Sequence, residues 1–156
     1  MPYGRLFYHV VWTAHDRIPM LDAEAARAVE RSIHATCDKH RAVLHAMAVM
    51  PDRVHLAISI PPSMAISIVG GRLKSSSSHL VNHARRNERA RGGESFAWKA
   101  DYGACSFSEK ALSIVAASIA HQETRPAGHR WDSRASTSDQ SQPAAVGFVA
   151  SARGRS

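Results

Sequence analysis

Residues 42–62 read AVLHAMAVMPDRVHLAISIPP. Two short apolar runs, 42–49 and 53–60, flank Pro51-Asp52, which is a turn signal. Together they read as a β-hairpin. Pro61-Pro62 closes it, because proline has no N–H to offer a strand ladder. Towards the N-terminus, residues 5–13 (RLFYHVVWT) are rich in aromatic and β-branched types and read as a further strand. Between that strand and the hairpin, Pro19 marks a loop and Asp22 suits a helix N-cap. Leu21, Ala25, Val29, Ile33 and Cys37 recur every four residues, which is one helical face, and the helix runs to about His40. Towards the C-terminus, residues 64–86 read as a serine-rich helix weakened by Gly70-Gly71. Residues 87–97 read as a polar loop and 98–107 (WKADYGACSF) as a fourth strand. Ser108 is placed to cap a third helix, with Glu109 in its first turn and Leu112, Val115 and Ile119 on its apolar face. The order βαββαβα is the split βαβ, or ferredoxin-like, plan with an added C-terminal helix. It predicts an α+β fold, an antiparallel sheet with helices on one face. Such sheets host many chemistries, so the plan alone does not decide function.

The chain has 156 residues, the size of one domain, with 44% hydrophobic and 21% charged residues. That composition excludes a collagen-like chain and full disorder. No apolar run approaches the roughly 20 residues of a membrane span, and the N-terminus lacks the pattern of a signal peptide. Cys37 and Cys105 are isolated thiols, which points to a reducing, cytoplasmic setting. The net charge is +7. Residues 72–99 hold seven basic residues (Arg72, Lys74, Arg85, Arg86, Arg89, Arg91, Lys99) against Glu88 and Glu94. Clustered cations release counterions together from a polyanion, so nucleic acid is the indicated partner. After Gln122 half the residues, 17 of 34, are Ala, Ser, Gly or Pro, and apolar periodicity stops. Residues 1–122 therefore read as the domain and 123–156 as a disordered or degenerate tail.

Three blocks carry a resemblance: YHVVWTAHDRIPML, MPDRVHLAISIPP, and FAWKADYGACSFSEKAL followed by SIAHQ. In this order and spacing they resemble the single-tyrosine, HUH-class DNA transposases of small insertion sequences. This is the IS-two-hundred-like family, whose relatives are the REP-associated tyrosine transposases. The resemblance covers residues 3–122. It implies a ferredoxin-like domain paired as a homodimer, acting on single-stranded DNA that often folds into a hairpin. It also implies a tyrosine that attacks a phosphodiester to form a phosphotyrosine link. Mg²⁺ or Mn²⁺ would polarise the phosphate, held by a His-hydrophobic-His pair on a strand and a polar residue on the tyrosine helix. The geometry is sound in principle. Residues i and i+2 of a strand share a face, residues i and i+4 of a helix share another, and a metal there stabilises a phosphoryl transition state.

This sequence departs from the pattern at two places. Where the family has MPDHVHL this chain has MPDRVHL, so Arg53 replaces the first histidine and His55 is retained. A guanidinium has no lone pair to donate. At ~4 Å and an effective dielectric of ~20 it repels each unit of metal charge by roughly 4 kcal/mol. Where the family has a tyrosine, SIAHQ has Ser118, and Gln122 matches the third ligand. Tyr3, Tyr8 and Tyr102 all precede this helix. A serine attacks only when a base or metal activates it, and His121 points to another helix face. The metal set is thus His55 and Gln122, incomplete, with Mg²⁺ or Mn²⁺ binding in doubt. His9, on the strand beside the third, is a candidate replacement ligand. Tyr8 and Trp12 read as packing rather than as a base-stacking platform. Candidate DNA-binding residues are Arg53, whose fork suits a phosphate, with Arg72, Lys74, Arg85 and Arg86. The serine run in KSSSSH (74–79) offers further hydroxyls.

The resulting expectation is a transposase-like protein that binds single-stranded or hairpin DNA and is impaired in strand cleavage, with no membrane association. Two alternatives stay open: an active metal-dependent transposase using the substituted residues, and a degenerate gene product. The composition after Gln122 suits decayed or frame-shifted coding sequence.

Overall fold

All eight residues of the strand Arg53–Ile60 are buried. A strand is buried throughout only if it is central and covered on both faces. The computed structural model, which describes residues 4–15 and 21–122, supplies both conditions. The elements are β1 (Leu6–Thr13), α1 (Ala23–Lys39), β2 (Val43–Val49), β3 (Arg53–Ile60), α2 (Ile66–Ala84), α3 (Arg86–Ala90), β4 (Gly103–Phe107) and α4 (Leu112–Gln122). They form one four-stranded sheet in the order β2-β3-β1-β4, antiparallel throughout. This is the predicted α+β, ferredoxin-like arrangement.

Val54, Leu56, Ile58 and Ile60 of β3 join Val10 and Trp12 of β1 in the main core. Leu21, just before α1, and the stripe Ala25, Val29, Ile33 and Cys37 of α1, with Val69, Leu73 and Val81 of α2, close over them. Each fully buried Ile or Leu contributes about 1.5–3 kcal/mol. Trp12 is 1% exposed and meets Trp98 edge-on at 5.9 Å, so it is a packing residue as expected. The other sheet face carries Ala48, Ala57 and His55. Here Val115 and Ile119 of α4 pack on Ala48 and Ala57. The added helix thus lies opposite α1 and α2, which cover one face as predicted.

Asp22 caps α1, its Oδ1 accepting the Ala25 N–H at 2.8 Å. Ser108 makes no side-chain cap, and the chain instead takes a 3-10 turn at Glu109–Ala111 before α4. The fourth strand is shorter than the predicted 98–107. Trp98 keeps one isolated bridge to Ala14, and its indole N–H donates to Ser77 Oγ at 2.9 Å. The carbonyls of Lys99 and Ala100 turn to the Lys74 ammonium, at 2.6 and 2.8 Å. Those competing partners stop the ladder. Within the predicted loop 87–97, Arg86–Ala90 form a helical turn. Gly92, at φ +91°, ends it, and the Gly93 N–H donates back to the Glu88 carbonyl at 3.0 Å. The expected degenerate tail, 123–156, lies outside the described residues. No helix among the described residues is long and apolar enough to cross a membrane.

Candidate functional site

β3 alternates, so Arg53, His55, Ala57 and Ser59 share the face that α4 covers. His55 pairs across the ladders with Val11 and Ala48, and Ala57 with His9 and Ala46. His9 and His55 are therefore diagonal neighbours on one face. His9 Nε2 lies 3.2 Å from His55 Nδ1, and the ring centroids are 5.5 Å apart. The centroid separation exceeds the N···N distance by 2.3 Å, twice the centre-to-nitrogen radius of an imidazole. The two nitrogens thus lie on the line joining the rings and point at each other. That is the geometry of one shared proton, not of two lone pairs converging on an ion.

His55 is fully buried and its Nε2 has no partner. If His9 donated the bridging proton, the neutral His55 would carry a buried, orphaned Nε2–H. If His55 Nδ1–H donates to His9 instead, only a bare lone pair is left, which is the less costly orphan. Burial, then the nearby His9 and Arg53, depress the His55 imidazolium to about 4, against an opposing pull from Asp52. Burial also lowers His9. Both rings are neutral at pH 7.

Arg53 is 9% exposed. Asp52 holds it in a fork, Nε to Oδ1 at 3.0 Å and Nη2 to Oδ2 at 2.9 Å. The guanidinium edge expected to grip a phosphate is thus turned to a carboxylate. Ser118 is exposed on α4, one residue before the buried Ile119, and Gln122 is half-buried at the end of the helix. α4 lies over the face that bears His55, but no hydrogen bond joins Ser118 or Gln122 to either imidazole. Among the described residues no three His, Cys, Asp or Glu side chains gather to hold a metal. The donors do not fit the two-histidine ion site that the resemblance implies. One site nitrogen is a lone pair, its neighbour is committed to a proton, and a cation stands where the second ligand would be.

The predicted DNA-binding residues divide. Arg72 and Arg86 are exposed. Arg85 caps α2 and reaches Asp22 Oδ2 at 3.2 Å. Lys74 spends its ammonium on the backbone carbonyls of residues 99–101. A second polar cluster was not read from the sequence. His45 sits at a β-bulge between Leu44 and Ala46. Its Nε2 lies 2.8 Å from Ser59 Oγ, which also accepts from Arg5 Nε at 2.9 Å. Ser59 is fully buried, so this cluster ties strands together.

A family model described as "Transposase IS200 like" matches residues 3–122. The chain belongs to the IS200-like transposase family. Its fold also matches solved structures. One is a Deinococcus radiodurans R1 protein whose crystal structure carries a transposase description. It has 24% identity and a TM-score of 0.62, with 78% of this chain and 95% of that one covered. Another is a REP-associated tyrosine transposase bound to a REP hairpin. It has 13% identity and a TM-score of 0.58, with 76% of this chain and 67% of that one covered. At these identities the likeness is one of fold. No curated protein matches the chain. Within this IS200-like chain, β1, β3 and α4 carry parts of the three family blocks, and α4 covers the sheet face to which β1 and β3 contribute.

Proposed function

We propose that this protein binds single-stranded or hairpin-bearing DNA, as a transposase-like homodimer, and does not cleave it. The observation that carries this reading is the Arg53–Asp52 fork beside His55. A part-buried ion pair occupies the place of a metal ligand, and the nucleophile position on the covering helix is an exposed serine, Ser118. The chain thus offers the phosphate neither a complete set of metal ligands nor an activated nucleophile. The likeness in fold to a transposase bound to a REP hairpin supports a DNA partner. The basic stretch 72–99 supports it independently, with Arg72 and Arg86 as contacts. Lys74 and Arg85 shape the surface instead. Where a divalent cation is bound in this family, it supplies charge at the scissile phosphate. Here His55 and Gln122 alone remain as its protein donors.

The test is a nicking assay on hairpin-bearing single strands in Mg²⁺ or Mn²⁺, beside a binding assay on the same DNA. Wild type is expected to bind and leave the strand intact. Arg53→His with Ser118→Tyr is expected to restore detectable cleavage and a covalent protein–DNA adduct. Turnover or an adduct in wild type would refute the cleavage-dead reading. A folded double variant that binds DNA and stays inert would show that replacing these two residues does not account for the loss.

A further inference from the structure

On the side of the molecule away from α4, an open groove of about 620 Å³ runs between α1 and α2. Arg31 and Lys39 stand along its α1 wall, and Ser75, Ser76 and His79 along its α2 wall. Ser32 and Thr36 lie deeper, each 6% exposed. Among the described residues no carboxylate lines it.

Two details bear on what this groove could hold. The first concerns the hydroxyls. In the serine run 75–78, Ser77 donates to the Leu73 carbonyl at 2.7 Å and Ser78 to the Ser75 carbonyl at 3.1 Å. Ser75 and Ser76 make no such bond, and neither do Ser32 and Thr36. Serine and threonine within helices commonly bond back to the helix, so these four O–H groups are left to a partner in the groove. The second concerns the cations. Arg53 and Arg85 are ion-paired and Lys74 is bonded to carbonyls, whereas Arg31 and Lys39, like the exposed Arg72 and Arg86, make no ion pair or hydrogen bond among the described residues, and the first two line one groove. They lie eight residues apart on one helix, hence about 12 Å along its axis. That is too far for one phosphate, and it spans about two phosphate steps of one strand, adjacent phosphates lying roughly 6–7 Å apart.

We infer that the α1–α2 groove binds the phosphodiester backbone of a nucleic acid strand. Arg31 and Lys39 would supply charge, and the hydroxyls of Ser75 and Ser76 would donate to phosphate oxygens. The inference rests on the DNA-binding reading above and adds to it a contact surface on the opposite side of the sheet from His55 and Ser118. Such a surface would let the protein hold a strand independently of the altered chemical site.

The test measures binding of a labelled hairpin-bearing single strand against salt, by fluorescence polarisation. For single strands each phosphate contact contributes about 0.7 to the slope of log K on log[salt]. Arg31→Gln with Lys39→Gln should lower that slope by about 1.4 and weaken binding roughly 25-fold at 0.1 M salt. The charge-keeping pair Arg31→Lys with Lys39→Arg should bind nearly as wild type, with circular dichroism confirming the fold. Lys110→Gln, exposed outside the groove, sets the effect of removing one charge anywhere, and Arg31→Gln or Lys39→Gln alone should exceed it. Single losses no larger than that of Lys110→Gln would overturn the groove, as would an equal loss in the charge-keeping pair. A neutral double variant that binds DNA like wild type while losing inorganic phosphate would reassign the groove to a free anion and overturn the strand proposal. Wild type that fails to bind DNA at all would defeat the DNA-binding reading itself, and this inference with it.

Discussion

Acidification should destabilise this protein through one buried imidazole. His55 is fully buried, and its pKa is depressed to about 4, first by burial, then by His9 and Arg53. In the unfolded chain the same ring titrates near 6.5. Between those values the unfolded state holds a proton that the folded state refuses, so stability falls as pH drops. It is fully present above about pH 6.5 and is lost as pH falls towards 4. At 1.36 kcal/mol per unit, the gap amounts to about 3 kcal/mol. That is a large share of a typical domain stability of ~5–15 kcal/mol. His9 and His45 are depressed in the same direction, both mainly by burial and His45 also by Arg5, so they add to the trend. Asp22, held down by its cap bond to Ala25 and by Arg85, loses its contribution only at lower pH. Urea titrations at about pH 7.5 and about pH 4, on wild type and His55→Gln, isolate the one ring. The glutamine variant keeps an amide beside His9 but cannot take the proton. Its loss of stability on acidification should be about 3 kcal/mol smaller, roughly 1.5 M in urea midpoint at an m-value of ~2 kcal/mol/M. Parallel profiles for the two proteins would refute the picture of a neutral, buried His55 on β3, between β1 and β2.

Two further outcomes follow from the packing. Gly71 lies inside α2, and a Cβ there would meet nothing within 4 Å. Gly71→Ala should therefore raise stability by up to about 1 kcal/mol, read as a higher Tm. Lys74→Met should cost about 1–2 kcal/mol, because it leaves the carbonyls of residues 99–101 without their charged donor. The same substitution should loosen the link into β4, read as faster amide exchange at residues 102–104, while DNA affinity changes little.

The replacement of a ligand by Arg53 and of a nucleophile by Ser118 needed no coordinates, because the chemical capacity of a side chain travels with its type. The apolar spacing of α1 and the Pro-Asp turn of the hairpin were local signals, and both elements form where they were expected. His9 was a candidate only by strand adjacency. That its nitrogen points head-on at His55 depends on a diagonal register between strands more than forty residues apart. The role of Lys74 could not be read either. A lysine in a basic stretch looks like a phosphate ligand until the fold brings three carbonyls within its reach.

The fold class, the burial stripe of α1 and the loss of two reactive groups were thus determined by the order and type of residues, through short-range periodicity and intrinsic chemistry. Three matters were decided only by tertiary structure: which cations are already committed, where the fourth strand begins, and which face α4 covers. Each is a competition among partners distant in the chain. Its winner depends on which groups the packed sheet and helices place within hydrogen-bonding distance.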